Sequence, residues 1–351
     1  MTIPPTMRAV LLTRHGDLDA LELVDDHPTP QPGPGEVLVR VDACAINNTD
    51  INTRVGWYAQ TEDDDGAWGG ALAFPVVQGA DVCGVIAAVG DGVAHERVGE
   101  QVLVDPWVRD PAAPDDLERA GYLGSEQDGG YAEFMVAPSV NAHPVSRRLT
   151  AVQLASFPTS AGTALDMLRR AGVQAGEHVL VTGASGGVGG YAVQIARALG
   201  AIPIGVCAAA KADGVRALGA VHVIDRDADL VQALGDLGIG RVDVVADVVG
   251  GAQWPSYLAA LRRGGRYVIS GAIGGPVVEL DLRTLYLEDL VLIGATITDP
   301  AVFAELIELI ESGAITPAVA AVYPLAEVKA AQQAFIAKDF VGKIVLDVAA
   351  G

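Results

Sequence analysis

The stretch His178-Val179-Leu180-Val181-Thr182-Gly183-Ala184-Ser185-Gly186-Gly187-Val188-Gly189-Gly190 decides the fold. An apolar run of strand character enters a glycine-rich bend, and an apolar-periodic segment reaching Leu199 leaves it, so the chain turns there from strand to helix. Glycines at such a bend let the chain turn sharply and let backbone N–H groups approach a pyrophosphate, while the helix N-terminus favours negative charge. The spacing is GxxGxxG (Gly183, Gly186, Gly189) rather than GxGxxG, so its weight comes from its setting between strand and helix.

That setting repeats downstream. Apolar runs at 202–206, 221–224, 242–248 and 266–270 alternate with helical segments at 188–199, 211–218, 229–237 and 253–261. Short strands alternating with helices of about ten residues specify a parallel sheet covered on both faces, a doubly wound α/β domain. Upstream, from Met7 to Val145, short apolar segments broken by Gly, Pro and Asp read as mostly β. Two excursions interrupt it, at 60–73 with Glu62-Asp63-Asp64-Asp65 and at 105–130, and both read as solvated loops. The tail offers a strand-like run at 290–296, helices at 301–312 and 325–337, and a last apolar run at 343–348.

At 351 residues the chain has room for two domains without disulfide staples. The formal charge is −21, with only Lys211, Lys329, Lys338 and Lys343 supplying lysine. Such a field repels phosphate backbones and anionic lipid, so neither nucleic acid nor membrane is an expected partner. Charged or turn-forming residues interrupt each apolar stretch before a spanning length. The first residues lack a basic start and apolar core, and Cys44, Cys83 and Cys207 are odd in number and far apart, so a reducing cytoplasm is expected. Four-cysteine structural zinc is excluded by count.

An NAD site normally carries an acidic residue about 20 positions after the glycines, where it holds the ribose 2′-OH. Here Gly205-Val206-Cys207-Ala208-Ala209-Ala210-Lys211 offers small residues and a lysine, and Arg226 follows the next run. Lys211 and Arg226 together would admit a 2′-phosphate, so NADPH is the expected cofactor, although Asp227 and Asp229 compete for Arg226.

These motifs, together with Ala45-Ile46-Asn47-Asn48-Thr49-Asp50, Gly79-Ala80-Asp81-Val82-Cys83-Gly84, Asp243-Val244-Val245-Ala246-Asp247-Val248-Val249-Gly250-Gly251, Gly264-Gly265-Arg266-Tyr267-Val268 and Gly342-Lys343-Ile344-Val345-Leu346, resemble the medium-chain dehydrogenase/reductase superfamily, specifically its zinc-free quinone oxidoreductase and enoyl reductase branches. The resemblance spans nearly the whole chain. It implies a GroES-like catalytic domain over 1–148, completed by 300–351, and a Rossmann domain over 149–299, with a cleft between them and a homodimer whose edge strand is the 290–296 run. It also implies cofactor contacts at Gly183, Ser185, Gly186, Gly187, Val188, Gly189, Val249, Gly271 and Lys343.

Zinc alcohol dehydrogenases of the superfamily carry catalytic ligands where this chain has Asn47 and Ala80, and Thr159 falls at the third position. Amide, methyl and hydroxyl groups do not make a zinc shell, so no metal site is expected, a rearranged one using Cys44 and Cys83 being the alternative. The run from Ile46 to Tyr58 resembles the 2-enoyl thioester reductase segment, in which an Asn opens the motif and a Tyr closes it after a Gly. On that match Tyr58 donates a proton to, or polarises, the acceptor oxygen. Asn47 holds the nicotinamide ribose or substrate oxygen, and Asp50 fixes the loop. The expected activity is hydride transfer from NADPH to a quinone, enone, enal or enoyl thioester. A zinc-type alcohol dehydrogenase with atypical ligands and a non-catalytic NADPH-binding protein are the alternatives. Trp68 and Trp107, in the two excursions, either wall the pocket or pack beneath the loops.

Overall fold

In the computed structural model, which describes residues 2–58 and 72–350, the alternating half of the chain forms one six-stranded parallel sheet. Its order is His222–Asp225, Ile202–Cys207, His178–Val181, Val242–Asp247, Leu261–Ile269, Val291–Gly294. Numbered along the chain this is 3-2-1-4-5-6, and the direction of winding reverses between the first strand and the fourth. The middle positions of the central strands are apolar, as in a parallel sheet covered by helices; Val179, Leu180, Val244 and Val245 have no exposed surface. Leu180, Ile204, Leu234, Val245, Leu258 and Tyr267 belong to one core cluster.

The glycine bend explains how the first helix, Gly187–Ala198, lies so close to the sheet. Gly183 has φ +56°, and a Cβ on Gly189 would lie 2.3 Å from the Gly183 carbonyl oxygen. Only a bare Cα allows that approach. Gly186, at the helix start, would carry a Cβ with no neighbour nearer than 3.4 Å.

This unit comprises Ser160–Ala318 and Phe340–Gly342; the other comprises Met1–Thr159, Val319–Asp339 and Lys343–Gly351. The sequence expectation put the return to the first unit at residue 300, and the structure moves it to Val319. Helix Pro300–Ser312 is the reason. Asp299 caps it by accepting the Ala301 N–H at 2.8 Å, Phe303 and Leu306 are buried where Gly162 faces them, and Glu305 pairs with Arg169. Its apolar stripe announced a buried face without saying which body would bury it.

The first unit is antiparallel apart from its last pair. A three-stranded sheet has the order Leu21–Pro28, Thr6–Leu12, Val76–Val77. A larger one runs Ala142–Pro144, Gln101–Val104, Asp81–Val89, Glu36–Ala45, Lys343–Asp347, Val319–Pro324, with Phe134–Pro138 also on Glu36–Ala45. The edge strand Val319–Pro324, parallel to Lys343–Asp347, is half exposed and escaped the periodicity reading. The 105–130 excursion is not wholly solvated. Its ends form a two-strand ladder, Trp107–Val108 with Gly121–Tyr122, and Asp105, Trp107, Tyr122 and Leu123 are buried. Trp107 packs edge-on against Tyr122 with centroids 4.6 Å apart. The acidic insertion at 61–70, with Trp68, lies outside the described residues.

Gly189→Ala is expected to lower unfolding free energy by about 1–3 kcal/mol through overpacking against backbone, whereas Gly186→Ala stays within about 0.5 kcal/mol. Urea unfolding of both variants measures the difference.

Candidate active site

In the first unit, strand Glu36–Ala45 delivers the chain to helix Asn48–Val55. Asp50 sits in the first turn, and its Oδ2 accepts the Asn47 N–H at 2.8 Å, satisfying a donor the helix leaves orphaned. Gln78 donates from Nε2 to the Asp50 carbonyl at 2.8 Å. At the other end the helix stops at Gly56, φ +69°, which releases Trp57 and Tyr58. Arg54, 1% exposed, anchors that end by donating to the Gly16 carbonyl and to Gln332 Oε1 at 2.8 and 3.0 Å. The Tyr58 oxygen accepts from Asn52 Nδ2 at 3.2 Å, and its ring meets Trp57 edge-on at 5.4 Å.

Behind this helix lies a buried polar network. Lys343 Nζ donates to the Ile46 carbonyl at 2.8 Å, to Asn47 Oδ1, and to Asp81 Oδ2 at 3.0 Å. Asp81 Oδ1 accepts the Thr159 N–H at 2.6 Å, and Thr159 Oγ1 shares a hydrogen with the Tyr122 hydroxyl at 2.8 Å. Lys343 and Asp81 are 1% and 0% exposed, so the ion pair is fully desolvated. Lys343 was expected at the cofactor. In this structure its ammonium has three donors, and all three are bonded inside this unit.

Burial decides the titration behaviour here. It pushes the Asp50 carboxyl up to about 7, against the lowering effect of the Asn47 N–H and the Tyr131 side chain. Burial likewise pushes the Tyr58 phenol above its ordinary value, offset in part by Thr49 and Asn52. Burial pushes the Cys44 thiol well above its ordinary value, so it behaves as a small apolar group, and Cys83 is pushed up to about 12. The donor set does not fit a catalytic metal. Asn47 offers an amide oxygen already facing an ammonium, and Ala80 offers a methyl.

In the second unit, the expected cofactor residues Gly183, Ser185, Gly186, Gly187, Val188 and Gly189 fall together at the carboxyl end of the first strand and the start of its helix. Ser185, Gly186, Gly187 and Val188 keep partial exposure. Val249 and Gly271 follow the fourth and fifth strands, so both lie at the same end of the sheet. A Cβ on Gly183 would touch Val248 and Val249, and one on Gly271 would lie 3.0 Å from the Val248 carbonyl oxygen. These elements meet at the reversal of winding, the place where open α/β sheets bind dinucleotides. Bare Cα atoms and an N-terminal helical turn fit a pyrophosphate.

Lys211 follows the second strand in a single helical turn, and Arg226 follows the third, whose Asp225 is paired in register with Cys207. Arg226 is 67% exposed, with Nε 3.7 Å from Asp227, so the acid has come toward it as the sequence warned. Sequence reasoning did not single out Asp81, Tyr122 or Asp247 as functional. Asp81 stood in a quoted motif and Asp247 ended an apolar run, both usable signals, whereas nothing marked Tyr122 within its loop.

Residues 33–147 match the model for the alcohol dehydrogenase GroES-like domain, and 187–312 match the one described as zinc-binding dehydrogenase. An NAD-dependent alcohol dehydrogenase of Sulfolobus acidocaldarius is 30% identical, covering 92% of this chain and 94% of its own. The quinone oxidoreductase of Rattus norvegicus is 28% identical over 97% of each chain. A crystal structure of a putative alcohol dehydrogenase from Sinorhizobium meliloti 1021 superposes with a TM-score of 0.93 at 48% identity, covering 98% of this chain and 97% of that one.

Asp50 generates a pH prediction. Between about pH 4 and 7 the folded chain holds its proton and the unfolded chain does not, so this group's contribution to stability is present at low pH and falls as pH rises to about 7. The slope is about 1.4 kcal/mol per pH unit at most. Asp50→Asn therefore loses less stability than wild type between pH 5 and 7 in paired urea titrations; parallel curves would refute the assignment.

Proposed function

The chain belongs to the medium-chain dehydrogenase/reductase family of nicotinamide-dependent oxidoreductases, and on that premise we propose that it is a metal-independent, NADPH-dependent reductase of quinones or of C=C bonds conjugated to a carbonyl. One observation carries the metal-independent half. Where the zinc enzymes of the family need ligands, this chain presents Asn47, Ala80 and Thr159, and a lysine ammonium is already bonded to Asn47 Oδ1 and Asp81. A divalent cation there would face both a poor donor set and an existing positive charge.

Bound NADPH supplies a hydride. The glycine bend from Gly183 to Gly189 holds its pyrophosphate on N–H groups, and Lys211, with Arg226 as an outer contact, takes the 2′-phosphate in the absence of a ribose-binding acid after the second strand. Tyr58 hydrogen-bonds the acceptor oxygen as negative charge develops there and passes a proton to the reduced product. Its raised proton affinity keeps it protonated for that task at neutral pH. Asn47, fixed through Oδ1 by Lys343, orients polar groups beside it, and Asp50 holds the start of the helix. The acceptor is a small neutral molecule by preference, since a chain of charge −21 disfavours polyanions.

The purified protein is expected to oxidise NADPH in preference to NADH with members of a panel of quinones, enals and enones, with less than stoichiometric zinc. Tyr58→Phe is expected to lower kcat about 10²-fold or more while leaving the KM for NADPH unchanged. No turnover with any acceptor, or one zinc per chain, would sink the proposal.

We also assign a homodimer in the cytoplasm. No helix among the described residues is long and apolar enough to cross a membrane. Among the described residues, strand Val291–Gly294 ends the sheet with no partner on its outer edge, and Ile273, Val277, Leu282, Tyr286 and Leu287, shortly before it in sequence, are exposed. Sedimentation equilibrium is expected to give twice the chain mass, and Val291→Pro to shift it toward monomer.

A further inference from the structure

Asp247 is a carboxylate with no exposed surface at the end of the fourth strand of the parallel sheet. A buried charge requires compensation, and here every donor bonded to it is neutral. Thr182, just past the end of the first strand, donates its hydroxyl to Oδ1, and Tyr267 on the fifth strand donates its hydroxyl to Oδ2. The backbone N–H of Val249 reaches Oδ1 at 2.8 Å, and that of Gly250 lies 3.2 and 3.1 Å from the two oxygens. Thr182 Oγ1 in turn accepts the Val248 N–H at 3.0 Å. Residues at the ends of three strands and two consecutive loop amides are thus tied to a single carboxylate, and a third amide, that of Val248, is held through Thr182.

The loop so fixed is the one that touches the glycine bend. Val248 and Val249 stand 3.0 and 3.2 Å from where a Gly183 Cβ would be, and the Val249 carbonyl accepts the Gly274 N–H at 2.7 Å. In a sheet of 3-2-1-4-5-6 order each half of the winding receives one mononucleotide, and the glycine bend with strands one to three serves the adenosine half. Asp247, Tyr267 and the 248–250 loop belong to the other half. We infer that Asp247, held by Thr182 and Tyr267, is a positioning residue for the nicotinamide half of the cofactor, setting the 248–250 backbone against which that half binds. The inference rests on the nicotinamide-cofactor reading above and adds which buried group sets the affinity of one half.

The test separates the halves. Wild type, Tyr267→Phe, Thr182→Val and Asp247→Asn are titrated calorimetrically with NADPH and with adenosine 2′,5′-bisphosphate, which lacks the nicotinamide nucleoside; NADH and AMP form the matched pair if the protein prefers NAD. Tyr267→Phe and Thr182→Val, each losing one hydrogen bond, are expected to weaken the whole cofactor about fivefold or more and the adenosine fragment less than about twofold. Asp247→Asn is expected to exceed either; should it fail to fold, the two milder variants decide the matter. A general loss of structure would weaken both ligands in parallel, and an idle network would weaken neither. Either result with a wild type that binds normally overturns this inference alone. A wild type that binds neither nucleotide overturns the cofactor reading and this inference together.

Discussion

The ammonium of Lys343, sealed between the Ile46 carbonyl, Asn47 and Asp81, is the contact on which the first unit depends. It joins segments more than 260 residues apart in sequence. Removing one partner from such a desolvated pair costs about 3–5 kcal/mol, because the other charge stays buried and uncompensated. The lysine opens strand Lys343–Asp347, which pairs antiparallel with Glu36–Ala45, and Ile46 donates its N–H to the Ile344 carbonyl at 2.9 Å. The return of the chain from the parallel-sheet unit is therefore required by the site as well as by the sheet.

Two buried aspartates solve the same physical problem in opposite ways. Asp81 meets a full positive charge, and its second oxygen orders the backbone of Thr159. Asp247 meets only hydroxyl and amide dipoles, which gather around it because it ends a strand where the chain turns. The first arrangement ties the start of the last strand to Asp81 and Thr159 inside the first unit. The second leaves a negative charge compensated by dipoles at the sheet end where the glycine bend lies, and burial raises the Tyr267 phenol so that it stays a donor. In both cases the side chain organises backbone, and backbone presents the surface a ligand would meet.

Polar groups that look catalytic by composition have separate duties. Asp50 satisfies a helix start and is pushed toward protonation by burial, so near neutral pH it is a weak source of negative charge beside Asn47. Asp105, raised to about 7 by the same cause, accepts the Trp107 N–H and holds the ladder that brings Tyr122 to Thr159. Tyr58, at the end of a helix pinned by Arg54 and Gln332, is the phenol whose hydroxyl partner, Asn52, lies on that same helix.

The sequence alone determined the doubly wound unit, because strand and helix periodicities and a glycine bend are local signals, set by neighbours within a turn or two. The resemblance puts Asn47, Ala80 and Thr159 where zinc relatives carry ligands, and that amide, methyl and hydroxyl groups are poor zinc donors needs no coordinates. Tertiary structure decided the rest. Helix Pro300–Ser312 has an apolar face whose sequence does not say what buries it, and packing near Gly162 assigned it. The 105–130 segment reads as polar loop because its middle, 111–119, is polar and mostly exposed, while its buried residues gather in short runs at the two ends. Lys343 carries the same letter whether it faces a phosphate or a carboxylate. Its partner was fixed by the register of the last strand, a long-range choice that no local pattern encodes.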